Sequence, residues 1–402
     1  PSHWEISSLG KILLSVSEKN RPDLPLLSIT RELGVIERDT EDQDSNHNFI
    51  PDDLSNYKIL KKGQFGMNKM KAWQGSYGVS DFTGIVSPAY YIFDFIKSIN
   101  PQFFHWAIRS KVYVSFFGSA SDGVRIGQWD LSKSRMKLIP FVIPTLSEQQ
   151  KIAQFLDEKT AKIDQAVDLA EKQIALLKEH KQILIQNAVT RGLNPDVPLK
   201  DSGVEWIGQV PEHWEVKKMK FLFKDTSIKN KPDATLLSVT QNRGVIPRNW
   251  LEERTVMPSG NLETFKFIQK DDFAISLRSF EGGLEICHHD GIISPAYTVL
   301  KYDKKFLNNG YYKYLFKCQK FISEMQTSIV GIREGKNISY EELKYSFLPI
   351  PQIIEQQKIA QFLDEKTAKI DQAIALKTAH IEKLKEYKSV LINDVVTGKV
   401  RV

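Results

Sequence analysis

Glu179 and Lys181, and again Glu386 and Lys388, stand at the Glu-x-Lys spacing that metal-dependent nucleases use to hold a cation beside a water. Both pairs sit inside long helical segments, and solvated helix charges are the plainer reading. GIREGKN at Gly331 has the look of a phosphate-binding loop, but it carries one residue too few between its glycines and Asn337 where Ser or Thr should hold magnesium. NPQF at Asn100 resembles the tetrapeptide that positions the target amine in amino-methyltransferases. Its third residue is Gln102, however, and no glycine-rich cofactor loop follows a strand. A helix start, with Asn100 as cap and Pro101 as first residue, accounts for it better. Cys287, His288 and His289 are adjacent and cannot close a tetrahedral metal site unaided, and the counterpart of Cys287 is Ser80. An ordinary loop is expected there. No Gly-x-Ser-x-Gly elbow occurs. The sequence argues against catalysis, and no cofactor or metal is expected in this chain.

Residue types suited to binding are easier to find, because the chain contains most of its segments twice. PSHWE at Pro1 matches PEHWE at Pro211, LLSITRELGVIER at Leu26 matches LLSVTQNRGVIPR at Leu236, and GIVSPAY at Gly84 matches GIISPAY at Gly291. Aligned on Ser-Pro-Ala-Tyr, Lys71 faces Arg278, Trp73 faces Phe280 and Gly75 faces Gly282. A basic residue two before an aromatic, then a glycine, suits a phosphate contact that positions a protein on DNA without reading it. A structural turn with a packed aromatic is the alternative. Arg125 in GVR and Arg333 in GIR correspond in the same way, and Lys69 and Lys336 flank the same segments. The loops otherwise differ: NKMKAWQGSYG against ISLRSFEGGLE, and QDSNHNFIPDDL against WLEERTVMPSGNL. Similar scaffolds with unlike loops would read unlike targets. Arg to guanine and Asn or Gln to adenine are the usual bidentate pairings, which makes Asn68, Gln74, Arg243 and Arg278 candidate base readers.

The elements that must position these residues centre on EQQKIAQFLDEKTAKIDQA, present without change from Glu148 and again from Glu355. A period of about 200 residues marks a tandem duplication of a whole module. The repeated stretch lacks Gly and Pro and is rich in strong helix formers. Ser147 with Gln150 fits a capping box, and Pro144 and Pro351 precede the two starts. The spacing predicts helices from about Glu148 to Asn187, about 60 Å long, and from Glu355 to about Val396. Ile163, Ala170, Leu177 and Leu184, beside Val167, Ile174 and Ala188, recur at sevens. Ile370, Leu384 and Leu391, beside Ile374, Ile381 and Val395, do the same. Lys377, Lys181 and Lys388 interrupt these rows. Two such stripes in one chain most simply bury each other. The exposed remainder is also identical between copies: Gln149, Gln150, Lys151, Gln154, Asp157 and Glu158 recur as Gln356, Gln357, Lys358, Gln361, Asp364 and Glu365. Two identical surfaces suggest two copies of one partner. Recent duplication is the alternative, but the globular parts have drifted while the helix has not.

The modules between the helices consist of short apolar runs such as LLSIT, VIER and KVYVSFF, broken by Gly, Asn, Asp and Ser. They read as mixed α/β domains rich in strands and loops, the apolar runs as the strands, with a short helix around Pro101 to Ser110 and loops at 43–56 and at GSASDG from Gly118. The 402 residues carry a formal charge of +6 and 26% charged residues, a mildly basic balance that permits a nucleic-acid partner without requiring one. Two cysteines exclude a disulfide framework and suit a reducing cytoplasm. No apolar run approaches the ~18 residues of a membrane span, and no charged-then-apolar stretch of the leader type is read in these residues. The chain opens at Pro1 while the second module has KDSGVEWIGQV before PEHWE, so the N-terminus reads as trimmed.

The P-x-H-W-E openings at Pro1 and Pro211, the G-[IV]-[IV]-S-P-A-Y runs, the proline lead into E-Q-Q-K-I-A and the V-T-G ending at Val396 to Gly398 together resemble the DNA specificity subunit of type I restriction–modification systems. The resemblance covers essentially the whole chain. The first helix departs slightly, with Val189, Thr190 and Arg191 before Gly192. The resemblance implies an α+β protein of two mixed α/β target-recognition domains separated by two long helices packed as an antiparallel coiled coil, with pseudo-twofold symmetry. The expected divisions are 1–145 and 212–350 for the recognition domains, 146–190 and 351–402 for the helices, and 191–211 for a linker. It further implies that each domain reads one half of a bipartite double-stranded DNA target and that two modification subunits dock on the chain. Those subunits, not this chain, would bind S-adenosylmethionine and methylate adenine, and a restriction subunit would translocate and cut. The alternatives are the specificity portion of a single-chain restriction–modification enzyme, for which motifs and length are lacking, and a coiled-coil adaptor with two protein-binding domains.

Overall fold

The computed structural model describes residues 1–39, 50–125, 128–251, 261–330 and 337–402. The chain divides into two compact units, one of Pro1–Glu171 with Thr378–Val402 and the other of Lys172–Lys377. The division falls inside both long helices, which run over Leu146–Arg191 and Ile353–Val396. Each unit therefore holds one globular module, the first half of the helix that follows it and the second half of the other helix.

In the first unit an antiparallel sheet orders the strands Leu13–Val16, Tyr91–Phe95, Phe65–Met67 and Tyr77–Val79. The ladder Glu5–Ser8 with Pro140–Ile143 ties the start of the module to its end, next to the long helix. Two hairpins project from this frame, Leu27–Thr30 with Gly34–Glu37 and Ser121–Arg125 with Gln128–Leu131. The second unit repeats the plan with Phe223–Thr226, Thr298–Tyr302, Phe273–Ile275 and Glu285–Ile286, the ladder Glu215–Lys218 with Phe347–Ile350, and hairpins Leu237–Thr240 with Gly244–Pro247 and Ile329–Val330 with Asn337–Ile338. Each sheet is covered by a short helix that buries aromatic residues: Phe103 and Phe104 from Pro101–Ile108, and Tyr311 and Tyr312 from Asn309–Leu315.

Three local expectations are corrected. KVYVSFF is not a strand but lies in the helix Lys111–Ser119, where Tyr113 and Phe117, four apart, face the core. GSASDG is no loop: Gly118 and Ser119 end that helix, and the strand of the next hairpin begins at Ser121. The cap of the first long helix is Thr145, not Ser147. Thr145 Oγ1 accepts from the Glu148 amide at 3.3 Å and Glu148 Oε2 accepts from the Thr145 amide at 3.0 Å, a reciprocal capping box two residues upstream of the expected one. Residues 191–211 are more than a tether. They form the hairpin Leu199–Asp201 with Gln209–Pro211, and Trp206, Ile207 and Val210 enter the second unit's core.

Within each unit the two long helices run antiparallel. In the first, Asp164 pairs with Lys388 at 2.6 Å and Glu171 with Lys385 at 3.9 Å. In the second, Asp371 pairs with Lys181 at 2.6 Å, and Lys377 donates to Gln173 at 2.6 Å. The lysines that interrupt the apolar rows thus meet acceptors on the facing helix. Ile152, Leu156 and Ile163 share a core with Leu391, Val395 and Val396, and Ile185, Ala188 and Val189 share one with Ile359 and Leu363.

Candidate nucleic-acid interface

The Lys71 turn is built by burying Ala72 under a single 3-10 turn, Ala72–Gln74, which Gly75 closes at φ +96. That geometry leaves Lys71 exposed. Trp73 stacks on Trp129 of the neighbouring hairpin, with ring centroids 5.3 Å apart and 25° between planes. Lys69 binds the same hairpin twice: its carbonyl accepts from the Leu131 amide at 3.2 Å and its ammonium lies 3.3 Å from Asp130. The turn and the hairpin carrying Arg125, separate in sequence, therefore form one surface. Arg125 lies in a strand of that hairpin. Gln74, half-buried, joins Arg31, Arg109 and Lys111 around a cleft of about 330 Å³ beside the tip of the Leu27–Glu37 hairpin.

The second unit builds the same corner. Arg278, exposed, precedes the short helix Ser279–Gly282 with φ −109 and ψ 11, close to the −123 and 15 of Lys71. Phe280 and Ile329 of the hairpin both pack against the second unit's core, and Gln326 donates to the Phe280 carbonyl at 2.9 Å. Arg243 is exposed on the other hairpin tip and reaches the Trp250 carbonyl at 3.5 Å. Arg333 and Lys336 lie outside the described residues, as do residues 43–49 of the loop at 43–56 and residues 252–260 of the loop at 250–262.

Several candidates prove to have work inside the fold. Asn68 is buried, accepts from the Met70 amide at 3.1 Å and donates to Tyr90 at 3.3 Å, so it shapes the turn and presents nothing outward. Gln149 and Gln356 are buried too. Gln149 accepts from the Asn100 amide at 2.7 Å and donates to the Pro144 carbonyl, and Gln356 does the same for Asn308 and Pro351. Asp157 accepts from Gln102 and Trp106, Asp364 from Lys313 and Tyr314. Glu148 accepts from His3 and Trp4, Glu355 from His213 and Trp214. The hydrogen bond from His3, with that from Thr145, holds the Glu148 carboxyl well below the usual range. The P-x-H-W-E segments are therefore clamps on the first turn of each long helix. Asp157 and Asp364 stay exposed but are bound to their modules; what stays exposed on both copies and makes no described hydrogen bond to the module is Gln150, Lys151, Gln154 and Glu158, with Gln357, Lys358, Gln361 and Glu365.

Cys287 is buried, donates to the His289 carbonyl at 3.0 Å, and has its thiol pushed up to about 12 by burial, so it is neither a nucleophile nor a ready ligand. Among the described residues no group of three or more His, Cys, Asp or Glu could hold a metal, and no helix is long and apolar enough to cross a membrane. Sequence reasoning missed the cations that hold the hairpin tips, Arg109 and Lys317. Their signal was present: each stands nine residues after a repeated helix-capping asparagine, Asn100 or Asn308.

A module of this kind, made twice and tied to paired long helices, is the arrangement that the comparisons with known proteins bear on. No family model matches the chain. The putative type I restriction enzyme MjaX specificity subunit of Methanocaldococcus jannaschii is 25% identical over 69% of this chain, a match spanning 63% of that protein's length. The type I MjaVIII specificity subunit of the same organism is 26% identical over 73% of this chain and 69% of its own length. Among solved structures, a chain of a type I R-M system described for its complex assembly and conformational transition superposes with a TM-score of 0.72 at 14% identity, covering 98% of both chains. The HsdS subunit from Thermoanaerobacter tengcongensis gives 0.60 at 14% identity, over 100% of this chain and 98% of that one. The chain has the HsdS fold, and its sequence relatives are type I specificity subunits.

Proposed function

We propose that this chain is a non-catalytic, DNA-reading subunit: each unit reads one half of a bipartite duplex site, and adenine-methylating modification subunits dock on the repeated helix face. The observation that carries the reading is the corner made twice, in which a basic turn and a hairpin sit on the same backbone frame but present unlike side chains. Lys71 and Arg278 are suited to phosphates, which fix register without reading sequence. Gln74 and Arg243 are suited to base edges. The docking face is the set that remains exposed and identical after intramolecular contacts are subtracted, centred on Gln150, Lys151, Gln154 and Glu158 and their counterparts. The methyl donor belongs to the docked subunits. Selection from a pool of randomised duplexes, by the chain with a modification subunit, tests the reading. Two defined half-sites around an unspecified gap are expected, and enrichment of no sequence would overturn it.

A further inference from the structure

Two hairpin tips, between Leu27–Thr30 and Gly34–Glu37 and between Leu237–Thr240 and Gly244–Pro247, share one frame. Thr30 Oγ1 donates to the Gly34 carbonyl at 3.3 Å and accepts from the Leu33 amide at 3.1 Å; Thr240 Oγ1 donates to Gly244 at 2.8 Å and accepts from Arg243 at 3.1 Å. Gly34 and Gly244 take the left-handed backbone at φ +74 and +73. A cation then reaches in from just past the end of the sheet-covering helix. Arg109 Nη2 donates to the carbonyls of Arg31 and Glu32 at 2.8 and 2.7 Å, while Nη1 holds the Tyr77 carbonyl at 2.8 Å. Lys317, at the corresponding place, donates to the Gln241 carbonyl at 2.8 Å and is itself oriented by Glu285. Burial lowers the Arg109 pKa. A partly desolvated guanidinium spent on three neutral carbonyls is an expensive way to hold a surface turn, unless the turn's conformation matters.

The frame repeats but its side chains do not. One tip exposes Arg31, Glu32 and Leu33, the last 67% exposed, and the other exposes Gln241, Asn242 and Arg243. Each tip adjoins the basic turn, through the cleft that Arg31 and Gln74 share in the first unit and through the Gln241 to Glu281 hydrogen bond of 3.3 Å in the second. A two-stranded hairpin fits the major groove, where Arg pairs with guanine, Asn with adenine, Glu with the cytosine amine, and an apolar tip with the thymine methyl. We infer that these two tips are specificity elements, Arg31, Glu32 and Leu33 for one half-site and Asn242 and Arg243 for the other, and that Arg109 and Lys317 are the positioning residues that hold them in reading geometry. The inference rests on the DNA-reading function proposed above.

The test is selection on half-sites randomised one at a time, using the chain in complex with its modification subunit. Arg109→Met is expected to weaken base preference in one half about ten-fold or more and to leave the other half unchanged. Arg109→Lys should recover most of the preference, because a lysine does this work in the second unit, and Lys317→Met should act on the opposite half. The exposed triple change Arg31→Gln, Glu32→Asn, Leu33→Arg leaves the anchor intact and should alter the bases chosen in one half, which decides the matter should Arg109→Met fail to fold. If the unaltered complex selects no sequence, the DNA-reading function itself fails. If it selects two half-sites and the triple change or a folded Arg109→Met keeps both, the tips are not the readers and this inference alone is overturned.

Discussion

Gln149 and Gln356 invert the usual expectation for glutamine on a charged helix. Each satisfies a backbone amide of the module and a carbonyl of its own approach segment while shielded from water. Gln356→Leu preserves the volume but strands the Asn308 amide and the carbonyls of Pro351 and Phe306, and should cost about 2–3 kcal/mol in denaturant unfolding. A docking residue would show no such loss. His105 makes a second point at this scale. Its Nδ1 accepts from the Val79 amide at 3.3 Å, which fixes the neutral tautomer, and burial, then Arg109, push its pKa down to about 4. Because the folded pKa lies below the unfolded value near 6.5, the unfolded state binds the extra proton. The contribution is therefore complete above about pH 6.5 and is lost as pH falls through 4, by up to about 3 kcal/mol. The unfolding midpoint should drop over that window, and His105→Gln, which keeps an acceptor for Val79, should flatten the profile.

Among the elements, the long helices are defined by their ends as much as by their apolar rows. The second closes in a Schellman motif, Lys399 amide to Asp394 carbonyl at 2.8 Å and Gly398 amide to Val395 carbonyl at 3.1 Å, with Gly398 at φ +74. The first ends at Arg191 with Gly192 at φ +75. A Cβ there would lie 3.1 Å from Glu355 Oε1 and 3.3 Å from the Trp214 ring, the clamp on the start of the other helix. Gly192→Ala should thus cost about 1–2 kcal/mol, more than Gly203→Ala, which shares the left-handed backbone but meets no atom within 4 Å. Equal thermal shifts for the two variants would show that only backbone conformation matters at Gly192. The clamp also explains why His-Trp-Glu recurs: ring nitrogens from His and Trp converge on a single helix-opening carboxylate in both units.

For the molecule as a whole, the proposed function together with two units of separate cores predicts that recognition is separable. Exchanging residues 1–145 for the matching part of a relative of different target should change one half of the methylated sequence and keep the other, read by methylation-sensitive sequencing. A change in both halves would mean that the units do not read independently. The duplication, the two long helices and the mixed α/β modules were legible in the sequence because repetition, residue propensity and heptad spacing are local properties of the chain. The identical helix residues were legible as a pattern but not as a purpose. Partner docking and internal bonding leave the same identity in sequence, and only the packed structure separates buried Gln149 and hydrogen-bonded Asp157 from exposed Gln150 and Lys151. KVYVSFF was misread because a short apolar run carries too few periods to distinguish strand from helix, and burial of Tyr113 and Phe117 on one side settled it. The Lys71 turn and the Arg125 hairpin, some fifty residues apart, could be brought together only by tertiary structure, since Trp73 stacking on Trp129 is a contact that no spacing rule encodes. The task of Arg109 was hidden for the same reason: its place nine residues after a capping asparagine could be read in the sequence, but a cation that holds main-chain carbonyls has partners without side-chain identity, so the fold alone determined what it holds.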